Sequence, residues 1–187
     1  MVLTVLNMAR DEGHPLTFRH YFWAIVRVAM GLIFLWAFFD KLIGLGFATC
    51  LDKETGMVTY MCEKAWINGG SPTFGFLTFG VHGPFADFYH SLASSVLVSW
   101  LFMLGLLFVG LTLTFGIMIR LGAFCGSLML LLMYLGLIPP DNHPFLDDHI
   151  IYAFVMLGFA FVHTCKHLGI GAWWTSLRFV KNRWILH

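Results

Sequence analysis

Residues 96–138 read VLVSWLFMLGLLFVGLTLTFGIMIRLGAFCGSLMLLLMYLGLI. These 43 residues hold one charged side chain, Arg120. A single helix of that length would extend about 65 Å at ~1.5 Å per residue, about twice the ~30 Å of a bilayer core. The stretch must therefore fold back on itself and form two spans. The break belongs between Gly116 and Gly122, where glycine and arginine cluster. Pro139 and Pro140 then close the second of the two, because neither supplies a backbone donor.

Working outward, an earlier apolar run extends from Tyr21 to Phe39, and a later one from Asp148 to His167. Asp147 is placed to cap the start of the later run, and Gly169 and Gly171 suit its end. Backbone groups in lipid must be paired within the segment, so all four runs are expected to be helices. The predicted architecture is an all-α membrane protein, one domain over residues 1–187. It is a four-transmembrane-helix bundle with helices over about 21–40, 96–116, 120–138 and 148–167 and an interfacial tail over 170–187. Composition agrees: 59% of residues are apolar and 11% charged, against about 25% charged in soluble domains. A net charge of +1 argues against nucleic acid as a partner, since that binding needs a basic patch.

Orientation follows from Lys and Arg in short flanks. Arg10 and Arg19 precede the first span, Arg120 lies in the turn between spans two and three, and Lys166, Arg178, Lys181 and Arg183 follow the fourth. The loop between spans three and four has Asp141, Asp147 and Asp148 but no Lys or Arg. Both termini are therefore expected in the cytoplasm. The first run is too long for a signal peptide's apolar region and contains Arg27, so it is expected to be retained. Trp173, Trp174 and Trp184 among basic residues mark a headgroup anchor, with membrane lipid as the partner. The segment Ala65–Leu92, with phenylalanines set among Gly and Pro, is too apolar for a free loop and too broken for a span. It is expected to be an interfacial or re-entrant segment over the outer mouth of the bundle.

Four cysteines are present. Cys125 and Cys165 belong to spans three and four, where thiols stay reduced. Cys50 and Cys62 lie in the first loop, on the oxidising side, with Gly56 to turn a short hairpin between them. A Cys50–Cys62 disulfide is expected, pinning the outer loop.

Several residues are candidates for chemistry. Arg27 lies several residues inside the first span, where it either faces the bundle interior with a partner or snorkels to the inner headgroups. Lys41, fourteen residues on, returns to about the same face ~21 Å away. Arg120, Ser127 and Tyr134 repeat every seven residues and share a face of span three. His149, Tyr152, Met156 and His163 share a quadrant of span four. Such stripes serve either as a site or as interhelical hydrogen-bonding glue. Gly122 and Gly126 form a GxxxG pair suited to close helix packing. Asp40, Lys41, His82, Asp87, His90, His143, Asp147, Asp148 and His149 gather at the outer ends, where His and carboxylate can exchange protons. No metal site is expected from these spacings.

Residues Arg27 to Trp36 with Lys41, Gly116 to Leu121 around Arg120, Asn142 to Ile150, and Leu168 to Trp174 together resemble the DoxX/DoxD family of small membrane proteins. The resemblance covers most of the chain, and Asp147-Asp148-His149 is its most specific part. It implies a four-helix membrane bundle similar to the large subunit of a thiosulfate:quinone oxidoreductase. In that reading quinone is the cofactor, and no flavin or dinucleotide fingerprint is present. Arg27, Lys41 and Arg120 would supply positive charge, Asp148 with His149 would exchange protons, and Tyr134, Tyr152 and His163 would contact the quinone. The other reading is a non-catalytic membrane subunit that recruits a small partner subunit or a soluble redox protein for thiol or oxidant resistance. A homo-oligomer stays open in both.

Overall fold

Gly116 makes the turn that the length of the apolar run demands. In the computed structural model it takes the left-handed conformation, φ 78°, and its N–H closes the preceding helix onto Thr112 O. Residues 18–52, 54–140, 143–162, 168–181 and 183–186 are described. In chain order they form α1 (Phe18–Ile43), a 3₁₀ turn (Trp66–Asn68), a π turn (Phe76–Gly80), α2 (Ala86–Leu92), α3 (Val96–Phe115) and α4 (Ile119–Gly136). Then follow α5 (Asp148–Phe161), α6 (Gly171–Ser176), α7 (Arg178–Lys181) and a last 3₁₀ turn (Trp184–Leu186). Among the described residues no strand forms, only an isolated antiparallel bridge between Leu51 and Val58.

Among the described residues three helices are long and apolar enough to cross a membrane: residues His20–Ile43 of α1, then α3 and α4. α5 is apolar but shorter. Two helix ends differ from expectation. α4 ends at Gly136 rather than beside Pro139, as Leu137 leaves helical geometry. α5 ends at Phe161 rather than near residue 167, because Val162 turns extended at φ −91°, ψ 127°. Residues 163–167, with Cys165 and His163, lie outside the described residues.

Consecutive long helices run antiparallel, as their closest approaches show. A methyl group on Gly31 of α1 would fall 2.5 Å from Thr114 Oγ1 of α3, and one on Gly110 would fall 2.7 Å from Leu35 Cγ. Between α3 and α4 the close points are Gly122 against Thr112 and Gly126 against Val109. The GxxxG pair thus does pack helices, meeting α3 and, through Met156, α5 as well. The shared core contains Phe34 and Phe38 of α1, Met103 and Val109 of α3, Ala123 of α4, and Met156 and Phe159 of α5. The outward faces are as apolar as the core: Leu97, Leu101, Leu128 and Phe154 are all exposed. In water such faces would be costly; they suit hydrocarbon.

At the end of the bundle where α1 finishes, the loop is tightly organised. Asp40, 1% exposed, accepts three backbone N–H groups, from Phe47 (3.0 Å), Ala48 (3.1 Å) and Thr49 (2.9 Å). Cys50 and Cys62 are joined by a disulfide around the turn at Gly56. At the other end the chain re-enters at Leu168–Ile170, and the Ile170 N–H donates to Phe115 O (3.0 Å).

Candidate functional site

The candidate residues separate into two groups at opposite ends of the bundle. Arg27 and Arg120 belong to the end where α1 and α4 begin. Lys41, Asp148 and His149 belong to the end where α1 finishes and α5 begins.

Arg27 is completely buried, and its Nη2 donates to Leu168 O. Its guanidinium packs on the α3–α4 turn, since a methyl on Gly116 would lie 2.7 Å from Arg27 Nη1. One cation therefore joins α1, the α3–α4 turn and the chain leading into α6. Arg120 is half-buried and its Nε donates to Ala160 O at 3.1 Å. That carbonyl is among the last four of α5, which have no partner within the helix, and a cation is favoured at that end.

The seven-residue stripe on α4 is bonded to α5 and to the loop that leads into it. Arg120 donates to Ala160 O, Ser127 Oγ donates to Ala153 O at 3.1 Å, and the Tyr134 hydroxyl donates to Phe145 O at 2.6 Å. Rising seven residues from Arg120 to Ser127 descends seven on the antiparallel partner, from Ala160 to Ala153, so the same periodicity finds a carbonyl at each. Tyr134 thus already has a structural acceptor. The quadrant expected on α5 divides: Met156 is fully buried, whereas Tyr152 is 41% exposed. Ala153, Met156 and Ala160 define the core stripe, and Tyr152 lies to its side. His163, the third proposed quinone contact, is outside the described residues.

The second group frames a cleft of about 420 Å³ lined by His82, Leu137, Pro140, His143, Leu146, Asp147, Asp148, His149 and Ile151. Asp147 caps α5, its Oδ1 accepting the Ile150 N–H at 3.0 Å. Its other oxygen, Oδ2, lies 2.7 Å from His149 Nδ1. The histidine partner is therefore Asp147, not Asp148, which is exposed on the cleft wall. A carboxylate only accepts, so Nδ1 carries the proton and His149 Nε2 is left as the acceptor of the neutral ring. His143 is oriented oppositely. Its Nδ1 accepts from the Phe145 and Leu146 amides (3.2 and 3.1 Å), so its proton sits on Nε2. His82 Nε2 lies 3.1 Å from Pro139 O. The cleft thus brings a donor at His143 Nε2, an acceptor at His149 Nε2 backed by the Asp147 carboxylate, and the exposed carboxylate of Asp148 to one opening. Among the described residues no three His, Cys, Asp or Glu side chains form a metal-binding group. Lys41 stands apart, half-buried in the last turn of α1, where a cation complements the helix end.

Asp40 counts among the expected outer proton groups, but its three amide bonds make it the organiser of the turn after α1. Tyr89, which carried no sequence signal beyond being the one tyrosine in its phenylalanine-rich segment, donates to Leu132 O at 2.6 Å. Burial raises its hydroxyl above the ordinary tyrosine value, which keeps it a donor.

No family model, no characterised protein and no solved structure matches the chain.

Proposed function

We propose that the chain is a four-span membrane protein of the DoxX/DoxD type, with both termini cytoplasmic, acting as a non-catalytic membrane subunit for a soluble thiol- or oxidant-handling partner outside. The observation that carries this reading is the use of the polar side chains within the spans. Arg27, Arg120, Ser127 and Tyr134 each donate to a backbone carbonyl of another segment. These four bonds tie the helices and their connecting segments together.

The fourth crossing is supported by the same bonds. Arg120 is bonded to the last turn of α5 at Ala160, and Tyr134 to Phe145 in the loop that leads into α5, so the loop and α5 together run beside α4. The orientation is supported by the disulfide, which sits at the end opposite Arg120 and the basic tail.

A second reading, a quinone-linked oxidoreductase subunit acting on a sulfur compound such as thiosulfate, draws on one observation. The Asp147–His149 pair opens onto a cleft and can take up a proton at Nε2. Thiosulfate-dependent reduction of a quinone analogue, measured on the purified chain and on the chain with its cross-linked native partner, separates the two. The proposal expects no turnover from the chain alone and an external redox partner carrying its own redox centre. Turnover by the chain alone, abolished by His149→Gln, would replace it with the second reading.

A further inference from the structure

The segment between α1 and α3 exposes phenylalanines although it is bonded to the ends of both α3 and α4. Tyr89 of α2 is bonded to the carbonyl of Leu132, one turn inside the end of α4 at Gly136. The His82 amide reaches Gly136 O itself at 3.0 Å. On the other side, the Ser71 and Thr73 hydroxyls lie 3.1 and 3.0 Å from Ser99 Oγ, about one turn inside the start of α3. At ~1.5 Å per residue both anchors are roughly 5–6 Å below the helix ends. The segment is held against both helices at their ends, its His82 amide level with the end of α4 and its side chains reaching about one turn further in.

α2 has three distinct sides at 100° per residue. Tyr89, Ala86 and Ala93 face the bundle. Asp87, His90 and Ser91 form an exposed polar side. Phe88, 62% exposed, with Phe85 just before the helix at 46%, forms an exposed apolar side. Phe79 on the preceding π turn is 81% exposed and stacks edge-on with Phe74 at 6.2 Å. A helix needs only two sides to lie on a protein surface in water. A third, aromatic side calls for an apolar medium beside the polar one.

We infer that residues 74–92 are inserted into the outer leaflet, with Phe79, Phe85 and Phe88 among the acyl chains and Asp87 and His90 at the headgroups. The inference rests on the reading that α3 and α4 cross the membrane. Lipid is the occupant because the two helices to which the segment is bonded themselves expose apolar faces, Leu97 and Leu101 on α3 and Leu128, Leu132 and Leu135 on α4, that call for the same medium.

Single nitroxide labels test this in lipid nanodiscs, on a background carrying Cys125→Ala and Cys165→Ala. Labels at Phe79→Cys, Asp87→Cys and Phe88→Cys are compared with Leu128→Cys in mid-span and Glu54→Cys on the hairpin. Collision rates with oxygen and with a water-soluble nickel chelate are measured. Positions 79 and 88 should favour oxygen, at a depth of roughly 5–10 Å below the phosphates, while position 87 favours nickel. A nickel-exposed label at 128 would sink the membrane reading itself. With 128 behaving as expected, nickel exposure at 79 and 88 matching that at 54 would overturn the insertion. Protection from both reagents, in lipid and detergent alike, would overturn it in favour of a second copy or a protein partner covering the phenylalanines.

Discussion

Gly122→Ala should separate α3 from α4, whereas Gly126→Ala should be nearly silent. The added methyl at 122 would fall 2.0 Å from Thr112 Oγ1 and 2.9 Å from Thr112 Cβ. Thr112 cannot easily swing aside: it is 2% exposed, and its hydroxyl donates to Val109 O at 3.0 Å. Overpacking of this kind costs about 1–3 kcal/mol, against a gain of about 1 kcal/mol from replacing a helical glycine. The net loss is then up to about 2 kcal/mol. At 126 the nearest atom is Met156 Cε, at 2.0 Å, the free end of a flexible side chain, and Val109 Cγ1 follows at 3.0 Å. There the cost and the propensity gain should roughly cancel. The two variants should therefore differ by about 1–2 kcal/mol, a factor of roughly 5–30 in the folded ratio. Adding Thr112→Ala to Gly122→Ala should restore part of the loss, because the Cβ contact at 2.9 Å survives. Reversible unfolding in mixed micelles, followed by near-ultraviolet circular dichroism, measures all three. Equal stability of the two single variants, or a larger loss at 126, would refute the packing assigned to this helix pair.

Replacing Cys50 and Cys62 by serine together should cost about 3 kcal/mol in the chain-entropy estimate for so short a loop, read as a fall in Tm; an unchanged Tm would show that the bond constrains little. Asp40→Asn leaves one side-chain oxygen for three amides, so hydrogen exchange at Phe47, Ala48 and Thr49 should quicken with a loss of about 1–3 kcal/mol, and unaltered exchange would contradict the role given to Asp40. The hydroxyl of Thr55, then the Glu54 amide, hold the Asp52 carboxyl below the ordinary aspartate value of 3.8. A lowered acid contributes stability above its unfolded value and loses it as pH falls through the folded one, so the turn at residues 52–57 should loosen only below about pH 4. Amide protection at Gly56, bonded to Asp52 O at 2.8 Å, reports it; loosening at neutral pH would contradict the assignment.

Much of the framework was legible because length and apolarity act locally. The run at 96–138 had to break, and Gly116 was there to take a left-handed turn. The cysteines could be sorted by side of the membrane, and the loop pair is bonded. The seven-residue spacing of Arg120, Ser127 and Tyr134 revealed a polar face, but not what it meets. Their acceptors are backbone carbonyls at Ala160, Ala153 and Phe145, and carbonyls have no sequence signature. The pairing of His149 was misread for a related reason. Asp147 sits at φ −134°, ψ 178°, so its carboxylate turns back over the first helical turn and meets the residue two positions on, leaving Asp148 outward. Tyr152 shares Met156's quadrant but lies beside the packed stripe, which depends on neighbouring helices rather than on spacing along one. Asp40 and Tyr89 act through loop amides and a distant carbonyl, contacts that only the tertiary arrangement creates.

The central claim is a chain that crosses the membrane four times and presents its disulfide-bound loop outside. Reporters of compartment, one fused after His187 and one inserted beside Gly56, test it in intact cells. A cytoplasmic signal is expected at His187 and an external one at Gly56. The same compartment at both positions, or the two reversed, would contradict it.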